Sequence, residues 1–192
     1  MRNVNFKKYI SYVREKKHSN IEEQYIEKDY FISLFLSTWQ KLRNNNEVLS
    51  LDELVFKGGT LLARNYLDNP RISEDIDFTY EKSEKIRKLD SKQKRETKIR
   101  KIIVPIINDF KLICNKINFD FSTNRRNAKY IKVINSRAVY ILNVYYRSLI
   151  TGEQSPIKIE INFLDKIIHD YSKLEIKNIV STDAELKSIE YD

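Results

Sequence analysis

The run Ile157-Lys158-Ile159-Glu160-Ile161-Asn162-Phe163 alternates without a break between apolar and polar side chains. Successive side chains of a β-strand point to opposite faces. This run therefore predicts a strand with a dry face of isoleucines and a wet face carrying Lys158, Glu160 and Asn162. Pro156 stands at its start, where a strand tolerates proline. Asp75 to Tyr80 alternates in the same way. Asp75 and Asp77 share one face, and Ile76 and Phe78 go to the other. Both segments read as strands with one wet face and one dry face.

The remaining pattern adds helices and further strands. Residues 4–17 and 20–43 have helical spacing, and Asn20 followed by Glu23 resembles a capping box. In the second helix Ile26, Tyr30, Phe31, Leu34, Phe35 and Trp39 form a thick apolar stripe, read here as core packing rather than base stacking. A short buried strand is expected at Glu53–Phe56, then a helix from Thr60 to Tyr66. A helix is also expected from about residue 92, with Pro105 kinking it or separating two helices. Strand-like runs at 117–122, 129–134 and 138–148 are rich in Val, Ile, Phe and Tyr. The order predicts one α+β domain over residues 1–192, a mixed β-sheet flanked by helices, with N-terminal helices at 4–43 and a core at about 50–165.

Composition narrows the function classes. Of 192 residues, 41% are hydrophobic, enough for a core. Lys and Arg total 35 against 27 Asp and Glu, a net charge of +8, which favours polyanionic partners such as RNA or nucleotides. Two readings of the dense basic run at 82–101 stay open, an RNA-facing surface and a solvated helix. The single cysteine, Cys114, lies in an apolar run and reads as a core residue. It permits no intrachain disulfide, which fits a reducing cytoplasm. No apolar stretch is long enough for a membrane helix, so the expected setting is soluble and cytoplasmic. His18 and His169 each lack a partner at zinc-ligand spacing.

Three features carry chemistry. Asp75 and Asp77 on one strand face repel each other unless a cation sits nearby, and Mg²⁺ typically takes one or two protein carboxylates and completes its shell with water and phosphate. Only three glycines occur in the chain, so the adjacent Gly58 and Gly59 are a local signal. Between a strand and a helix they allow a tight turn and close approach to a ligand. The helix start offers N–H groups to an anion, Thr60 can add a hydroxyl, and Lys57 and Arg71 can neutralise phosphate. Glu160 is the third feature. If its strand lies beside that of Asp75 and Asp77, about 4.8 Å away, the acids can share one metal cluster.

The string from Phe56 to Phe78 resembles the signature of the polymerase-β nucleotidyltransferase superfamily: a glycine pair at a helix start, an acidic-x-acidic strand, and a distant acidic strand residue. More closely, Lys57-Gly58-Gly59-Thr60 with Ser73-Glu74-Asp75-Ile76-Asp77-Phe78 resembles the AbiEii/AbiGii nucleotidyltransferase toxins. The run Ile26-Glu27-Lys28-Asp29-Tyr30 is also similar to their N-terminal helix. The resemblance implies a polymerase-β-like palm in which Asp75, Asp77 and Glu160 hold the metal, Mg²⁺ or alternatively Mn²⁺. Glu160 would also help deprotonate an attacking hydroxyl. Gly58, Gly59 and Thr60 would cradle an NTP, supported by Arg71, Ser73 and Lys57. It further implies transfer of NMP to an acceptor hydroxyl, RNA or tRNA above all, and a cognate antitoxin partner in a toxin–antitoxin or phage-defence setting. The family's C-terminal helical region, with its lysine and Arg-Asp-x-x-Asp-like motifs, finds no match before Asp192, and this region is expected to be absent or truncated. Two alternatives remain at this level, a non-catalytic nucleotide- or RNA-binding module and a transferase that modifies a protein partner.

Overall fold

The computed structural model describes residues 6–17, 21–59, 61 and 75–168. Helix α1 spans Phe6–Lys17 and α2 spans Glu23–Asn44. A 3-10 turn at Ser50–Glu53 leads into strand β1, Leu54–Lys57. Strand β2 is Asp75–Tyr80, followed by a short helix α3 at Ser83–Arg87 and the long helix α4 at Lys92–Lys116. Strands β3, Ile131–Ile134, β4, Val139–Arg147, and β5, Gln154–Asn162, complete the order.

The strands form one five-stranded sheet in the order β1-β2-β5-β4-β3. The β2–β5 pairing is parallel and the others are antiparallel, so the sheet is mixed as the sequence predicts. Its dry face is continuous across the register. Phe56 lies opposite Phe78 and Ile76 opposite Ile159, while Ile161 stands between Phe78 and Tyr140. Apart from the half-buried Phe56, these residues are fully enclosed. Helices α2 and α4 cover that face. Trp39 packs edge-on against Phe78 at 5.3 Å, Phe31 stacks on Tyr146 at 4.0 Å, and Phe35 stacks on Phe110 of α4 at 5.6 Å. The aromatic stripe of α2 is thus core. Burying each such side chain contributes about 1.5–3 kcal/mol. Cys114 is enclosed in the same cluster, and burial pushes its thiol up to about 12, so it stays neutral.

Helix α1 joins through a smaller cluster of its own, in which Phe6, Tyr9, Ile10 and Val13 meet Ile26. A polar clamp ties α2 to the far end of the sheet. The Glu27 side chain, 3% exposed, accepts from Ser148 Oγ at 2.8 Å, Leu149 N at 2.5 Å and Ile150 N at 3.2 Å. These donors lie in the turn between β4 and β5.

Four local expectations change. The N-cap of α2 is Glu22, with no side-chain cap bond, so Glu23 is the first helical residue and cannot close a capping box. Asn20 falls outside the described residues. Helix α4 runs unbroken through Pro105, because the long apolar face on either side holds it to the sheet. Residues 117–122 are not a strand. Asn118 takes a left-handed φ of 57°, and only Asp120 pairs, in a single antiparallel bridge with Tyr145. Phe119 and Phe121 are buried there as loop residues. Strand β5 begins at Gln154, which puts Pro156 inside it, opposite Tyr145. The helix expected at 60–66 lies mostly outside the described residues, although residues 58, 59 and 61 are helical. Among the described residues, no helix is long and apolar enough to cross a membrane.

Candidate active site

The wet face of the same sheet carries the acids. Parallel register sets Asp77 of β2 beside Glu160 of β5, and Asp75 beside Lys158. On the other flank Lys57 of β1 stands opposite Asp77. A row Lys57–Asp77–Glu160 therefore crosses three strands, with Asp75 and Lys158 one step along it. The alternation that sends Ile76, Phe78, Ile159 and Ile161 into the core fixes these side chains on the opposite side. Asp75, Asp77 and Glu160, expected on one face, are brought to one face, and the sheet spacing makes Asp77 and Glu160 neighbours.

The glycine turn closes on the same point. Gly58 adopts φ +82°, and a Cβ built on it would lie 2.3 Å from Asp77 Oδ2 and 3.1 Å from Asp77 Cβ. Both the backbone conformation and the close approach require glycine here. The turn after β1 is pressed against the carboxylate of β2, and Gly59 beside it is exposed. Burial and the neighbouring Asp75 charge raise the Asp77 carboxyl above the usual range, against the opposing pull of Lys158 and Lys57. A carboxylate so placed gains from any further cation.

Among the described residues, two cations and one further acid stand around these carboxylates. Lys158 Nζ lies 3.0 Å from Asp75 Oδ2 and 3.9 Å from Glu160 Oε2. The Asp75 hydrogen bond holds the Lys158 ammonium above its ordinary range. Lys57 forms an ion pair with Asp165, just beyond β5. Asn162 orients that acid. Its Oδ1 accepts from Leu164 N at 2.9 Å and Asp165 N at 3.1 Å, and its Nδ2 donates to Asp165 Oδ1 at 2.8 Å. Ser83 Oγ donates to the Asp165 carbonyl at 2.7 Å. Alternation puts Lys158 on the wet face without giving it a role, and no periodicity marks Asp165. The Asn162-to-Asp165 spacing, typical of a side-chain-capped turn, was the available signal for Asp165.

Three expected site residues, Thr60, Arg71 and Ser73, lie outside the described residues. Among the described residues, no three His, Cys, Asp or Glu side chains are gathered at metal-holding spacing. The donor set itself is suitable for a divalent cation. It offers carboxylate oxygens from adjacent strands, and one of them is destabilised as an anion by burial and a like charge.

A mixed sheet with helices on its dry face, and with a glycine turn packed against an acid-bearing strand pair on its wet face, defines a nucleotidyltransferase-like α+β domain. The chain belongs to the AbiEii family. The family model described as "Nucleotidyl transferase AbiEii toxin, Type IV TA system" matches residues 41–190. No curated protein and no solved structure matches the chain. The family match leaves α1 and most of α2 outside its span.

Proposed function

We propose that the chain is a metal-dependent nucleotidyltransferase that moves NMP from an NTP to an RNA hydroxyl, tRNA 3′ ends being the first acceptor to test, and that it serves as the toxin of its antitoxin pair. The observation that carries this reading is the register of Asp77 beside Glu160 with Gly58 packed on Asp77. That arrangement puts hard oxygen ligands next to a glycine turn. When bound, Mg²⁺ or Mn²⁺ supplies Lewis-acid stabilisation of the phosphates and activation of the hydroxyl.

The chain's own residues have separable tasks in this reading. Asp75, Asp77 and Glu160 hold the metal, and Glu160 accepts the proton of the attacking hydroxyl. Gly58 and Gly59, with Thr60, Arg71 and Ser73, receive the triphosphate. Lys57, at the edge of the glycine turn, adds positive charge for it, and pyrophosphate leaves.

The test is incubation of the protein with Mg²⁺, each labelled NTP and total tRNA, in parallel with Asp77→Ala. Label should move to RNA with the native chain and fall at least about a hundredfold with the variant, the order expected when transition-state electrostatics are lost. Transfer that survives Asp77→Ala refutes the assigned metal role. Label appearing on protein instead of RNA redirects the acceptor to a polypeptide.

A further inference from the structure

We infer that Lys158 is a built-in counter-cation of this site: its ammonium seats itself between Asp75 and Glu160, and divalent metal binds by displacing it. The inference rests on the metal-site reading proposed above and adds to it a competitor supplied by the chain.

The geometry argues it directly. Lys158 lies two residues before Glu160 on β5 and beside Asp75 in the parallel register. Its Nζ is at 3.0 Å from Asp75 and 3.9 Å from Glu160, so one ammonium spans two strands and bridges two of the carboxylates assigned to the metal. The other cation of the row, Lys57, is turned away to Asp165. Lys158 and its two partners are each between 29% and 39% exposed, so a dissolved ion can reach the cluster. A partly exposed ion pair is a weak constraint, and a divalent ion with several oxygen ligands outcompetes it rather than being locked out. Once displaced, Lys158 remains on the same face with its charge free for an anionic substrate.

Titrating the full chain with Mn²⁺ alone in a calorimeter tests this. The native protein should bind Mn²⁺, and Asp77→Asn should abolish that binding. Lys158→Met should bind about three- to tenfold more tightly, the scale of a lost partly exposed ion pair. Lys158→Gln, which keeps a polar end and guards against a folding defect, should do likewise. Lys158→Arg should bind no tighter than the native chain. Lys116→Met removes the same charge from a lysine paired with Glu47 at the end of α4, on the side of the dry face, and should change affinity by less than about twofold. Two results overturn the inference while leaving the metal site standing. One is Asp77-dependent binding that Lys158→Met and Lys158→Gln leave unchanged, and the other is an equal gain in Lys116→Met. No Mn²⁺ binding in any of these proteins, or binding indifferent to Asp77→Asn, overturns the metal-site reading itself and this inference with it.

Discussion

At Gly58 two independent requirements meet in one atom that is not there. The φ of +82° would strain any L side chain, by about 1–2 kcal/mol. The missing Cβ also leaves the space taken by Asp77 Oδ2, 2.3 Å from where it would stand. Neither β1 nor β2 can move aside freely, because Phe56 and Phe78 are paired on the dry face beneath them. Gly58→Ala should therefore destabilise the fold by roughly 2–3 kcal/mol, read from the urea midpoint at constant slope. In an Asp77→Ala background the carboxylate clash is gone and only the backbone strain remains, so the cost of the same substitution should drop by about 1 kcal/mol. Equal costs in the two backgrounds would mean that Asp77 swings away and the close approach is incidental. The residue scale also explains why sequence spacing located the acids yet missed their counter-ion. Alternation assigns Lys158 and Asp75 each to a wet face, but only the parallel β2–β5 register makes them partners.

Elements were legible wherever a single periodicity governed a whole segment. Strand β2 has the predicted bounds, and β5 keeps the predicted faces, because strict alternation leaves no other way to bury the isoleucines. The pattern failed where burial came from the loop rather than a ladder. Phe119 and Phe121 alternate like a strand, but a left-handed Asn118 and a single bridge at Asp120 are what hold them. At Pro105 a local rule lost to tertiary packing, since Ile103, Ile106 and Ile107 all bury against the core around it. The role of Glu27 depends on a contact 121 residues away that no local pattern encodes. It satisfies the Ser148 hydroxyl and the Leu149 and Ile150 amides in one buried carboxylate, and so fixes α2 to the β4–β5 turn. Glu27→Ala should leave the Ser148 hydroxyl and the Leu149 amide unsatisfied, while Ile150 N keeps Ser148 Oγ, and cost about 2–4 kcal/mol in denaturant unfolding. Glu27→Gln, which keeps an acceptor oxygen, should cost less. A change below about 0.5 kcal/mol for Glu27→Ala would show that water replaces the clamp without penalty.

The whole molecule carries its excess positive charge unevenly. Within the basic run, Lys82, Lys88, Lys92 and Lys94 each pair with a nearby acid, and these pairs read as the surface of solvated helices. Lys98, Arg100 and Lys101 are exposed on α4, where no such pair is formed with a described residue. Between the two readings of this run, these exposed residues are where contact with a polyanion can be tested. Each phosphate neutralised on single-stranded RNA releases condensed counter-ions and contributes about −0.7 to the slope of log affinity against log salt. If α4 tracks the acceptor, reversing Lys98, Arg100 and Lys101 to Glu should flatten that slope by about two units and weaken binding at low salt, with little change in the metal affinity of the distant acids. The same triple change should leave the melting temperature within a degree or two of the native chain, because surface charges away from packed contacts contribute little to stability. Filter binding of tRNA across a salt series reads the slope directly. An unchanged slope would return the run at 82–101 to the role of a solvated face and leave the acceptor to be held by other basic residues.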